Sequence, residues 1–300
     1  MNKIVVIGSS NTDMVVRSEH LPRPGESVLG GGFLMAGGGK GANQAVAVAR
    51  MGHRVIFSAA VGNDMFADAA IAAYQRFGID TTYIVRKQTP SGIALIMVDS
   101  AGQNSISVAL GANNALTIED VMPALEQIES GDIVLLQLEI PMDTVDACVA
   151  VAAAKGARVV LNPAPAAVVC QSTLSKLYLI TPNQTEAQTL TGVEVTDEAS
   201  AERAAKALVS LGVERVVITM GSDGAYLYED GKGLLIPACK VSAVDTTAAG
   251  DVYNGALCAA LAEGLTLQDS LRFATKASAI SVTRVGAQPS VPTREEVDNF

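Results

Sequence analysis

Asp251 is the carboxylate whose surroundings most invite chemistry. It ends the stretch Val244-Asp245-Thr246-Thr247-Ala248-Ala249-Gly250-Asp251, and the Ala/Leu-rich run Val252-Tyr253-Asn254-Gly255-Ala256-Leu257 that follows predicts a helix. Small residues at Ala248, Ala249 and Gly250 allow close backbone approach, and free N–H groups at a helix start favour an anion such as phosphate. A carboxylate repels phosphate, so Asp251 reads as a base beside the anion, taking the proton of a hydroxyl that attacks phosphorus. The plainer alternative is that Asp251 only complements the helix dipole, as acidic first-turn residues commonly do.

Three further sets of residues suit the same chemistry. Asn183 and Glu186, in Thr181-Pro182-Asn183-Gln184-Thr185-Glu186, stand three apart at a predicted helix start and fall on one face. The functional reading puts Asn183 at a nucleotide phosphate and has Glu186 order hydrated Mg²⁺, which keeps most of its waters and takes few protein ligands. A capping box is the alternative, disfavoured here because Ser or Thr is the usual cap. Asn11 and Asp13 follow the apolar run Lys3-Ile4-Val5-Val6-Ile7-Gly8 and offer an amide and an acceptor suited to vicinal hydroxyls, or else an Asx-type turn. Gly37-Gly38-Gly39-Lys40-Gly41-Ala42-Asn43-Gln44 imitates a phosphate-binding loop, but Leu34 and Gly41 stand where that motif needs Gly and Ser/Thr. It reads instead as a glycine floor for a small ligand with Asn43 projecting from the helix start, or as a turn.

The elements that position these residues follow from pattern. The run at 4–7 predicts a buried parallel strand, and the helix opened by the glycines runs to Met51 and closes at Gly52. Residues 14–38 cannot supply a crossover helix, because Pro22, Pro24, Gly25 and Gly30-Gly31-Gly32 break it. Short β segments at about 12–38, and a hairpin within 90–110 formed by Ile93–Val98 and Ser105–Val108, predict a small β-sheet lid. Such an edge-rich sheet needs covering, and pairing of two lids in a homodimer is one way to provide it. From 54 onward, strands near 54–60, 132–138, 158–161, 177–181 and 214–219 alternate with helices near 65–77, 117–129, 142–155, 184–191 and 199–211. That alternation predicts a doubly wound, mainly parallel α/β sheet flanked by helices, read as a single domain over 1–300 with the lid inserted.

Composition excludes several classes. A net charge of −10 without a Lys/Arg cluster argues against a nucleic-acid surface, so any phosphate site must be local. Cys148, Cys170, Cys239 and Cys258 form no CxxC pair and read as buried thiols in a reducing compartment. With no basic leader and no membrane-length apolar run in sight, a cytoplasmic location is expected, and no membrane partner. Two histidines are too few for a histidine metal site or triad, and no GxGxxG follows the first strand, which counts against a dehydrogenase.

The Asp-Thr-x-Ala-Ala-Gly-Asp stretch at 245–251, the Gly-Gly-Lys-Gly-Ala-Asn run at 38–43 and the Asn-x-x-Glu of 183–186 together resemble the ribokinase family of carbohydrate kinases. The resemblance runs from Lys3 to Val291; Val252 and Tyr253, commonly Thr and Phe in close relatives, depart from it just outside the motif. It implies an ATP-dependent kinase that phosphorylates the 5-hydroxyl of D-ribose, with Asp251 as base and Ala248, Ala249 and Gly250 as anion hole. The sugar would be held by Asn11, Asp13, Gly39, Lys40, Asn43 and Glu139, which ends the strand Val134–Leu138. ATP would meet Asn183, Thr219, Gly221, Ser222, Gly224, Gly250 and Thr275, with Mg²⁺ reached through water from Glu186. A monovalent cation, typically K⁺, would lie between Asp245, the Thr247 carbonyl, carbonyls of Ser281, Arg284 and Gly286, and Ser290. For Asp245, helix capping is the alternative. Kinases of deoxyribose, fructose or a nucleoside remain open, as does a non-catalytic sugar- or nucleotide-sensing binding protein, although a binder has no use for a base.

Overall fold

The computed structural model describes residues 2–300, and among them thirteen strands form two sheets. In chain order they are β1 (Ile4–Ile7), β2 (Asn11–Arg17), β3 (Gly32–Gly38), β4 (Val55–Val61), β5 (Ile84–Arg86), β6 (Gly92–Val98) and β7 (Asn104–Ala109). They continue as β8 (Ile133–Leu136), β9 (Arg158–Leu161), β10 (Leu179–Ile180), β11 (Val216–Thr219), β12 (Ala225–Glu229) and β13 (Lys232–Ile236). The large sheet runs β13-β12-β11-β10-β9-β8-β1-β4-β5. It is parallel from β11 to β5 and antiparallel at β12 and β13.

Why these short apolar runs become central strands is visible in where their side chains go. Ile4 and Val6 pack into one core, with Ile133 and Leu135; Val5 and Ile7 pack into the other, with Val134 and Leu136. A strand buried on both faces needs no polar alternation, which is why the sequence there is continuous Ile, Val and Leu. Helices Lys40–Arg50, Ala249–Ala262 and Leu267–Ser281 cover the first core, and Ile118–Glu126, Met142–Ala154 and Glu198–Ser210 cover the second. The doubly wound arrangement expected from the alternation is therefore present.

The small sheet has the order β3-β2-β6-β7, with β2 and β6 parallel at its centre and antiparallel partners outside. Its second hairpin turns through Asp99, whose N–H donates to the Gln103 carbonyl at 2.9 Å. Because β2 continues from β1 after three residues, and β3 runs into the helix at Lys40, this sheet stands directly over the C-terminal ends of the parallel strands.

Several features differ from the sequence reading, among them strand β5, which it lacks, and the exposed Cys170 and half-buried Cys239, which it expects to be buried. The antiparallel hairpin β12–β13 was not expected, although its turn is Asp230-Gly231 with φ of 50° and 75°, a pairing that favours tight hairpins. The strand expected at 177–181 shortens to Leu179–Ile180, and the helix expected at 117–129 ends at Glu126. Among the described residues, no helix is long and apolar enough to cross a membrane.

The helix carrying Asp251 packs closely against the helix that starts at Lys40, and the contact point is Gly255. A Cβ there would lie 2.4 Å from the Ala47 Cβ and 2.8 Å from the Gln44 carbonyl oxygen. Gly255→Ala is therefore expected to lower unfolding free energy by about 1–3 kcal/mol through overpacking. Urea denaturation monitored by circular dichroism checks this, and an unchanged midpoint would contradict the packing described.

Candidate active site

Asp251 sits in the first turn of the helix Ala249–Ala262, almost wholly buried. Its Oδ2 accepts from Asn43 Nδ2 and its Oδ1 from Gln44 Nε2, both at 3.0 Å. Burial pushes its pKa above the ordinary carboxylate range; Lys40 and the two amide donors oppose that rise, and Glu139 adds to it. The helix begins at Ala248, a non-glycine residue with φ of 59°. Such a left-handed conformation costs about 1–3 kcal/mol for a residue with a Cβ and tends to be kept at functional sites. The Ala249 N–H donates to the Thr246 carbonyl at 3.2 Å, whereas among the described residues the N–H groups of Gly250 and Asp251 meet no acceptor. The Ala248 N–H likewise meets no acceptor among the described residues, so of 248–250 only the Ala249 N–H is engaged.

Around Asp251 the residues expected at an acceptor come together. Glu139 Oε2 accepts from Ser9 Oγ at 2.5 Å and from the Lys40 backbone N–H at 3.0 Å, so it caps the helix that begins at Lys40. That helix has no side-chain cap of its own, and Gly39 before it has φ of 86°, with a Cβ position only 2.8 Å from Asn11 N. Asp13 lies in β2, and burial followed by the charges of Glu139 and Asp251 pushes it up to about 6. Lys40 is lowered by burial but raised on balance by the fields of Asp251, Glu139 and Glu186. Asn11 is not in an Asx turn: it starts β2, and its Oδ1 accepts from Asn113 Nδ2 at 2.7 Å. Asn43 donates to Asp251, and its buried Oδ1 carries no partner among the described residues.

On the other side of the same helix start lies a cleft of about 830 Å³. Every residue expected to meet ATP lines it: Asn183, Thr219, Gly221, Ser222, Gly224, Gly250 and Thr275, joined by Ala249 and Thr246. Asn183 and Glu186 correct the sequence reading, because they form a full capping box. Glu186 N–H donates to Asn183 Oδ1 at 2.8 Å, and Asn183 N–H donates to Glu186 Oε2 at 2.8 Å. Asn183 Nδ2 adds a third bond, to Glu186 Oε1 at 2.9 Å. An Asn cap serves as well as Ser, so the disfavoured alternative is the observed one. Burial nonetheless raises the Glu186 pKa, against the Asn183 N–H and Lys40 and with Asp251, so its carboxylate belongs to the same electrostatic cluster.

Asp245 caps no helix. Its Oδ1 accepts from Thr247 N–H at 2.9 Å and its Oδ2 from Gly286 N–H at 2.8 Å, tying the 245–247 segment to the loop after helix Leu267–Ser281. Val244 and Asp245 N–H both donate to the Val282 carbonyl. Although burial opposes ionisation, the hydrogen bonds from Thr247 and Gly286 and the charge of Arg17 hold Asp245 below the ordinary carboxylate range. Ser281 Oγ donates to the Ser278 carbonyl and Ser290 Oγ to the Ala287 carbonyl, while the Arg284 side chain turns away to pair with Glu296. Among the described residues, no group of three or more His, Cys, Asp and Glu side chains is arranged to hold a metal.

Sequence reasoning passed over a buried amide cluster beside Asp251. Gln44, Gln137 and Asn162 are all buried and bonded to one another or to Asp251. The signal was available: Gln137 interrupts an apolar run, and Asn162 directly follows β9, where polar side chains at strand ends are conspicuous.

The chain matches the sequence model of the pfkB family carbohydrate kinases over residues 1–294. It is 44% identical over 298 residues to the ribokinase of Haemophilus influenzae, covering 99% of this chain and 97% of that protein. Among solved structures, the ribokinase of Thermotoga maritima gives a TM-score of 0.92 at 40% identity, covering 100% of this chain and 99% of that one. The Arabidopsis thaliana ribokinase complexed with ribose and ATP gives 0.90 at 31% identity, covering 99% and 98%. With a family match across nearly its whole length and this site at its strand ends, the chain belongs to the pfkB family of carbohydrate kinases.

Proposed function

We propose that this protein transfers the γ-phosphoryl group of ATP to the 5-hydroxyl of D-ribose. The observation that carries this reading is Asp251, a buried carboxylate at a helix start bordered by an 830 Å³ cleft and by a polar, carboxylate-rich pocket. The cleft lies in the volume range of small-molecule sites. Asp251 takes the hydroxyl proton as the oxygen attacks phosphorus, and the free N–H groups at 250 and 251 stabilise charge on the transferring phosphoryl. Asn11, Asp13, Gly39, Lys40, Asn43 and Glu139 hold the sugar, and Asn183, Thr219, Gly221, Ser222, Gly224, Gly250 and Thr275 hold the nucleotide.

The chemistry of the acceptor pocket favours a free pentose. Asp13, Glu139 and Asp251 repel one another there, so a sugar phosphate would meet three carboxylates against Lys40. A nucleoside gains most from an aromatic slot, and this chain has no Trp.

Two cations complete the reading. Glu186 orders Mg²⁺ through water, a role compatible with a site offering one carboxylate, since Mg²⁺ takes its remaining ligands from phosphates and water. K⁺ is held by oxygens of Asp245, Thr247, Ser281, Arg284, Gly286 and Ser290, a set with no nitrogen or sulfur ligand, as a hard cation requires. Its charge would steady the segment leading to Ala248, which Asp245 already ties to Gly286. Residues 1–300 act as one unit with the small sheet as lid, and two lids pair in a homodimer. The exposed Phe33, Met35, Leu95 and Met97, which the strand register puts on one face, support that pairing. The working location is the cytoplasm, with neither nucleic acid nor membrane as partner.

Asp251→Asn is expected to lower kcat for ribose-dependent ADP release by about 10²–10⁴ with little change in fold. Turnover close to wild type in that variant would remove Asp251 from the chemistry. Asp13 supplies a pH prediction. The sugar hydroxyls need its ionised form as acceptor; the carboxylate is present above about 6 and lost below it. The ribose kcat/KM should therefore fall as pH drops through this region, and a flat profile from pH 5 to 8 would contradict the role.

A further inference from the structure

Gln44 lies in the helix Lys40–Arg50 and is fully buried. Its amide uses both N–H donors and one acceptor position on three partners. Nε2 donates to Asp251 Oδ1 at 3.0 Å and to Asn162 Oδ1 at 3.1 Å, and Oε1 accepts from Gln137 Nε2 at 2.5 Å. The Asp251 carboxylate, which only accepts, fixes which end of the Gln44 amide faces it, and Gln44 Oε1 in turn takes the Gln137 N–H.

The chain of contacts continues to the anion hole. Asn162 Nδ2 donates to the Thr181 carbonyl at 3.3 Å, and Thr181 Oγ1 donates to Asn254 Oδ1 at 2.6 Å. Asn254 Nδ2 in turn donates to the Gly250 carbonyl at 2.8 Å. Gln137, Gln44, Asn162, Thr181 and Asn254 are each buried, so solvent does not substitute for any member.

We propose that Gln44 is a positioning residue for phosphoryl transfer, orienting the Asp251 carboxylate and locking it to the peptide of the anion hole through Asn162, Thr181 and Asn254. The proposal rests on Asp251 acting as the base. Without Gln44 the carboxylate would keep only Asn43 as direct donor and would turn about its side-chain bonds relative to the N–H groups of the helix start. Its charged form would also lose a hydrogen bond. The other groups facing it would stay in place: Lys40 favours ionisation, while Glu139, Asp13 and Glu186 disfavour it.

The test measures the pH dependence of kcat at saturating ribose and Mg-ATP for Gln44→Met and Gln44→Glu. Gln44→Met should lower kcat by about 10–100-fold, the range a misplaced reacting group costs, with ribose KM within about threefold of wild type. Its acid limb should move to higher pH by about one unit, because a charge-assisted donor to the base is gone. Gln44→Glu keeps the volume and replaces the donor with an acid, so its acid limb should move at least as far; it carries the test if Gln44→Met fails to fold. An unmoved acid limb in a folded variant, whatever happens to kcat, reduces Gln44 to packing and overturns the proposal. Asp251→Asn separates the two readings. If it retains turnover, the base assignment fails and the proposal with it. If it is inactive while Gln44→Met behaves as wild type, only the proposal fails. In the Asp251→Asn background, Gln44→Met should add no further loss.

Discussion

A carboxylate placed out of water at the start of a helix is the constraint on which the rest of this structure depends. Removing an ion from solvent costs several kcal/mol even after relaxation, while each hydrogen bond to a charged group returns only about 1.5–3 kcal/mol. Asp251 receives two such bonds, from Asn43 and Gln44, and lies in the field of Lys40. The balance still leaves it more basic than an exposed aspartate, which is the direction a proton acceptor needs. Asn43, Gln44 and Lys40 come from one helix start, so the glycine-opened helix at 40–50 and the helix at 249–262 must meet closely, and Gly255 is where they do.

The sheet supplies the rest. Asn11, Glu139, Asn162, Asn183 and Thr219 all lie at or just beyond the C-terminal ends of parallel strands, the edge at which open α/β sheets bind ligands. Because β1 passes into β2 and β3 returns into the helix at Lys40, the small sheet grows from the same edge as the acceptor pocket. Its strands therefore carry Asn11 and Asp13, while the cleft lined by Asn183 and Thr219 lies at the ends of β10 and β11. The carboxylate-rich surroundings of Asp251 and the cleft lined by Gly250 are thus neighbours with different electrostatic character.

Much of this was legible in the sequence because it is written locally. Continuous Ile/Val/Leu runs mark the two-sided strands, the glycines at 37–39 mark the close approach, and 248–251 mark a helix start with an acid. What escaped depends on contacts distant in the chain. Gln44 gains meaning only from partners 93, 118 and 207 residues away, and the Asp245 carboxylate from Gly286, 41 residues on. The box at Asn183 and Glu186 is hard to tell from a ligand pair for a different reason: its cap is Asn rather than Ser or Thr, although the Asn side chain accepts the same bond as Ser. Hairpin β12–β13 was simply missed, since Asp230-Gly231 carried its signal in plain view.

The most direct test of the account is ADP release from Mg-ATP with D-ribose, 2-deoxyribose, fructose and adenosine as acceptors, each in K⁺ and in Na⁺ buffer, with the product identified by phosphorus NMR. The account predicts that D-ribose gives the highest kcat/KM, that its product carries the phosphate on the 5-oxygen, and that turnover is faster in K⁺. Folded protein that binds ATP yet turns over none of the four acceptors would contradict the assignment of Asp251 as base, and a preference for another acceptor would contradict the pocket drawn around Asn11, Asp13 and Glu139.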